Sequence, residues 1–64
     1  LLQEVKNALQ ELPESEREIL VLKYLEKLTA EEIAEILGTT ERTVWRRHGR
    51  AIERVGLILN EGTE

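Results

Sequence analysis

Residues 29–54 read TAEEIAEILGTTERTVWRRHGRAIER, and this run decides the fold. Thr29-Ala30-Glu31-Glu32 has the form of a capping box, in which the Thr29 hydroxyl accepts the Glu32 amide and the Glu32 carboxylate reaches back to the Thr29 amide. A short helix then carries Ile33, Ala34, Ile36 and Leu37 up to Gly38, the residue type that enters a left-handed C-terminal cap without steric penalty. Thr40 is placed to cap a longer helix that bears Val44 and most of the arginines. A short helix, a glycine turn and a basic helix make the layout of a helix-turn-helix. The residue types fit that packing. Ala34 is small where the two helices cross, Gly38 turns the chain four residues later, and β-branched Val44 follows six residues on to pack back against Ile33 and Leu37.

Upstream, Leu2, Val5, Leu9 and Leu12 recur at three- and four-residue spacing and predict a helix over 2–12, ended by Pro13. Glu14, Glu16 and Glu18 enrich the start of a second helix over 14–26, whose Ile19, Leu20, Leu22 and Tyr24 are expected to form a buried stripe up to about Leu25. With further helices over 30–37 and 41–58, the expected fold class is all-α. It is one four-helix helix-turn-helix domain over 1–64, with its motif core at 29–55 and no winged elements. Gly56 is expected to weaken the last helix and Asn60-Glu61-Gly62 to end it. The expected core is Leu9, Leu12, Ile19, Leu22, Ile33, Ala34, Leu37, Val44 and Val55.

Composition narrows the function classes. Sixty-four residues support one modest core. A 41% hydrophobic and 34% charged content fits a soluble globular chain. There is no Cys, which excludes disulfides and thiolate metal sites, and His48 has no second histidine beside it, so neither metal nor cofactor is expected. The longest apolar run, Ile19-Leu20-Val21-Leu22, is far short of a membrane span, so no membrane partner is expected. Leu1-Leu2 has no basic flank and soon meets Glu4; no signal peptide is read, and the expected compartment is cytoplasmic. The missing initiating Met suggests a domain excised from a longer chain. The thirteen Glu spread over exposed helix faces without a nucleophile or base converging on them, so the chain is expected not to be an enzyme.

The net charge of −4 argues against nucleic acid until its distribution is seen. Residues 1–39 carry four cations against nine Glu, a balance of −5. Residues 40–55 carry Arg42, Arg46, Arg47, Arg50 and Arg54 against Glu41 and Glu53, a balance of +3. A basic helix on an acidic body is still a competent DNA reader, because the local field governs contact with phosphate. Arg42 and Arg46 share one side of the helix start and are the leading candidates for base edges, joined by Trp45 and by Glu41, which is placed to accept from a cytosine amino group or merely to favour the helix N-terminus. Arg47 and Arg50 suit phosphate, as do Thr39 and Thr40, although Thr40 equally suits a plain cap. Trp45 has three readings open: DNA, a protein partner, or its own helix. His48 falls four residues after Val44 and is expected to be packed and hydrogen-bonded at the margin of the core. The competing reading makes the arginines an idle solvated face, paired with neighbours such as Glu53.

The motif Leu12-Pro13-Glu14-Ser15-Glu16-Arg17-Glu18-Ile19-Leu20, then Leu22 to Glu26, Leu28 to Gly38, and Glu41-Arg42-Thr43-Val44 resembles region 4 of bacterial sigma factors. The resemblance covers about Leu12 to Val55. It implies a domain that reads promoter DNA through its fourth helix and meets RNA polymerase through other surfaces. Two positions depart from the family pattern: His48 stands where Leu is usual, and Trp45 where a basic residue is common. The ending Trp45-Arg46-Arg47-His48-Gly49-Arg50-Ala51-Ile52 is similar to small phage or prophage regulators of late transcription, and Glu16 to Val44 also resembles the LuxR-type domain. All three groups bind DNA. The expected function is therefore a sequence-specific transcription regulator that inserts helix 41–55 in the major groove of double-stranded DNA. The alternative is a protein-interaction module that docks on RNA polymerase or self-associates. The apolar excess at Val55, Leu57, Ile58 and Leu59 points to a homodimer.

Overall fold

The computed structural model describes residues 2–62, with side chains described for residues 3–60. Its elements are α1 (Leu2–Glu11), α2 (Glu14–Leu20), a π turn (Val21–Leu25) that continues α2, α3 (Ala30–Leu37) and α4 (Glu41–Gly62). The described residues contain no strand. Pro13 is the cap residue of α2, with φ −55° and ψ 147°, and its carbonyl accepts the Glu16 and Arg17 amides at 3.0 Å each. Proline fits there because an N–H at a helix start has no intrahelical carbonyl to donate to, so its absence costs no helix hydrogen bond.

The capping box of α3 forms as the sequence predicts. The Glu32 amide donates to Thr29 Oγ1 at 3.2 Å, and the Thr29 amide donates to Glu32 Oε1 at 2.9 Å. These bonds hold the Glu32 carboxyl below its ordinary range, with the backbone amide of Thr29 the larger cause. At the other end Gly38 takes φ +66°, and the Thr39 amide closes on the Ala34 carbonyl at 2.9 Å while the Gly38 amide reaches Glu35 at 3.3 Å. That pair of bonds is the Schellman pattern.

Two apolar clusters are threaded by one helix. Ile19, Ala30, Ile33, Ala34 and Val44 form the first, with Leu22, Leu28 and Leu37 at its margin. Leu12, Leu20 and Ala51 form the second, flanked by Leu9, Val55 and Ile58. Val44, Ala51, Val55 and Ile58 follow one another along a single stripe of α4, so its first half closes the helix-turn-helix and its second half packs on α1 and α2.

The structure corrects several expectations. Leu9, Leu22, Leu37 and Val55 are half-buried rather than buried, because each lies at the rim of its cluster. Ala8 and Ala51, absent from the expected core, are fully buried. Helix 14–26 is not uniformly α: Glu26 donates to the Val21 carbonyl, five residues back, at 3.1 Å, which marks the wider π turn, and Leu28 closes onto the Leu22 carbonyl at 3.1 Å beyond it. The wider turn takes Tyr24 and Leu25 out of the predicted stripe, and they are 52% and 69% exposed. It exits through Lys27 at φ +57°, a left-handed conformation that costs a non-glycine residue roughly 1–2 kcal/mol. Finally, α4 runs unbroken through Gly56 and Asn60 to Gly62.

Candidate nucleic-acid interface

Residues 41–54 of α4 sort into four stripes by the 3.6-residue turn. Val44 and Ala51 face the core, with no exposed surface. Arg42, Arg46, Gly49 and Glu53 lie opposite and are all exposed. Thr43, Arg47, Arg50 and Arg54 run along one flank. Glu41, Trp45, His48 and Ile52 run along the other. The start of the helix is set by Thr40, whose Oγ1 accepts the Thr43 amide at 3.2 Å and donates to Thr43 Oγ1 at 3.1 Å. The Thr40 hydroxyl is thus engaged as a cap, and Thr39 is half-buried with its amide on Ala34.

The five arginines are not equivalent. Arg54 turns back to the body: its Nε donates to Glu16 Oε1 at 2.8 Å and its Nη2 to Oε2 at 3.4 Å. Glu16 is the buried charged residue among those described, with 7% of its surface exposed, and this two-point pairing is what makes its burial tolerable. The hydrogen bond to Glu16, and then the charge of Glu16, raise the Arg54 pKa above its ordinary value. Arg47 is half-buried and lines a shallow hollow with Glu14, Ser15, Glu18 and Leu37, so acidic residues of α2 flank it. Arg42, Arg46 and Arg50 remain exposed. Sequence pattern missed the Glu16–Arg54 pair, because the partners stand 38 positions apart.

On the opposite flank, His48 is half-buried and shares a 2.7 Å hydrogen bond between its Nε2 and the Tyr24 hydroxyl, as its expected packed role requires. Burial, and then the charge of Lys23, hold its pKa below the ordinary 6.5. The Trp45 ring meets the His48 ring edge-on at 5.5 Å and is half exposed. The Lys23 ammonium sits 4.8 Å from the Trp45 ring centroid. Of the three readings open for Trp45, its own helix therefore supplies one contact and the π turn another, while half of its surface faces solvent.

The Sigma-70, region 4 family model matches residues 2–55. RNA polymerase sigma factor FliA of Yersinia enterocolitica is 40% identical over 60 residues, which are 94% of this chain and 26% of that protein. FliA of Escherichia coli strain K12 is 40% identical over 61 residues, 95% of this chain and 26% of that protein. RNA polymerase sigma factor SigV of Bacillus subtilis is 38% identical over 58 residues, 91% of this chain and 35% of that protein. No solved structure matches the chain. The chain spans about a quarter of the length of the FliA proteins. Capping box, glycine turn and the Ala34–Val44 crossing all lie inside the matched residues, and the chain belongs to the Sigma-70 region 4 family of helix-turn-helix domains.

Proposed function

We propose that this chain reads double-stranded DNA in a sequence-specific way, by laying residues 41–55 of α4 in the major groove as part of a transcription factor that works with RNA polymerase. The observation that carries this reading is the outward stripe of α4, where Arg42 and Arg46 are exposed on the second helix of a helix-turn-helix, opposite the buried Val44 and Ala51. Glu41, Arg42, Trp45 and Arg46 are the base-contacting residues in this proposal. Thr39, Thr40, Arg47 and Arg50 face phosphate, with Arg50 the leading contact because Arg47 is flanked by carboxylates and the Thr40 hydroxyl serves the cap. Relatives named RNA polymerase sigma factors support the transcription role.

The test is a contrast between two arginines. Arg46→Ala should lower the ratio of specific to random-duplex affinity, since a lost bidentate base contact costs about 1–3 kcal/mol. Arg50→Ala should weaken all duplexes alike and reduce the slope of log affinity against log salt by about one. Wild-type affinity and slope in both variants would refute the recognition-helix reading.

A second reading is favoured by an apolar groove of about 240 Å³ between α1, the π turn and α4, lined by Val5, Leu9, Leu20, Tyr24, Leu25 and Ile52 among others. RNA polymerase, the assembly in the names of the relatives, is the partner this reading assigns to it. The two readings separate in the same titration, because a polymerase-docking module gives no steep salt slope on a naked duplex. Self-association has less behind it: Val55, Ile58 and Leu59 are half-buried, leaving Leu57 at 58% exposure as the large apolar residue in excess.

A further inference from the structure

An α-helix about 10–12 Å across fills a major groove about 12 Å wide, so the phosphate walls of the groove lie against both of its flanks. In α4 the two flanks are unequal. On one side Arg50 is an exposed cation, with Arg47 half-buried beside it and Arg54 turned to Glu16, whereas Glu41, Trp45, His48 and Ile52 supply no cation on the other. The structure brings a cation to that bare flank from a different element. Lys23, on the π turn, holds its ammonium 4.8 Å from the Trp45 ring centroid, and the ring is itself held edge-on by His48, which is tied to Tyr24.

We infer that Lys23 is a DNA phosphate contact on the Trp45 flank of α4, kept beside the groove in the free protein by resting on the indole and passed to the backbone when DNA binds. The inference rests on the reading of α4 as the recognition helix. A half-exposed indole attracts an ammonium through its ring face, yet the pairing is weak at a wet surface, so a phosphate competes for the same charge. The chain carries its own reporter, because Trp45 is its single tryptophan.

The experiment titrates the full chain with a pool of random-sequence duplexes at several salt concentrations, following Trp45 emission. Lys23→Met keeps the aliphatic stem over the ring and removes the charge; it should lower the salt slope by about one, and Lys23→Arg should keep the wild-type slope. Free wild type and free Lys23→Met should differ in Trp45 emission, and that difference should vanish at saturating duplex, where the lysine has left the ring. An unchanged slope in Lys23→Met, with Arg50→Ala still lowering it, overturns this inference and leaves the recognition helix standing. An emission difference that persists in the complex overturns it too, because Lys23 has then stayed on the indole. If neither Lys23→Met nor Arg50→Ala changes the slope, the basic helix is not on DNA and both readings fall.

Discussion

Ile33 and Ile36 lie one turn apart on α3, yet Ile33 is fully buried in the first cluster and Ile36 is 60% exposed. Replacing each by Ala makes the same chemical change in two environments. At Ile33 the substitution removes three buried carbons, worth about 2.4 kcal/mol of transfer at ~0.8 kcal/mol each. An unrelaxed cavity of roughly 60 Å³ adds about 1.4 kcal/mol. At Ile36 only about 40% of the transfer contribution is at stake, ~1 kcal/mol, and the better helix propensity of Ala returns about 0.4 kcal/mol of it. That same gain applies at Ile33, so the expected losses are about 3.5 and about 0.5 kcal/mol. A domain of this size is stable by roughly 3–10 kcal/mol, so Ile33→Ala leaves a marginal fold. At about 4–8 °C per kcal/mol the melting temperature should fall by roughly 15–30 °C for Ile33→Ala and by less than about 5 °C for Ile36→Ala. Thermal and urea unfolding followed by far-ultraviolet circular dichroism measures both. Equal losses at the two positions would show that the buried face of α3 is not the one assigned, and with it the crossing against Val44.

Two further outcomes follow from the polar contacts. Arg54→Met strands the buried Glu16 carboxylate, whereas Glu16→Gln leaves an Arg54 that can still reach water. The urea midpoint should therefore drop more for Arg54→Met, and the double variant should lose less than the sum of the singles; strict additivity would mean that the pair is uncoupled. His48 gives a pH signature. Its folded pKa lies below 6.5, so as pH falls below 6.5 the unfolded chain takes up a proton that the folded chain refuses. Stability should decline there and level off once the folded histidine also protonates. Glu32, whose pKa is lowered from 4.5, loses its contribution only in more acidic solution, so the two windows separate. His48→Gln should flatten the curve just below pH 6.5, and an unchanged curve would remove histidine as its cause.

What the chain announces about itself is local. A capping box needs residues three apart, a left-handed cap needs one glycine, and the crossing of α3 with α4 needs Ala34 and Val44 at a fixed interval. Each feature stabilises the others over a span of about four turns, which is why residues 29–44 are legible without coordinates. The π turn is not, because Lys27 in a left-handed conformation carries no glycine or asparagine to advertise it. Nor is the fate of the arginines. A helical projection puts Arg47, Arg50 and Arg54 together on one flank, but Glu16 captures Arg54 across 38 positions, and carboxylates of α2 flank Arg47. Tyr24 meets His48 across 24 positions, and Lys23 of the same π turn meets Trp45 of α4. Periodicity names the face a side chain occupies, since that depends only on helical geometry. The neighbour it meets there depends on how separate elements are packed, and only the tertiary structure decides which cations remain free for a ligand.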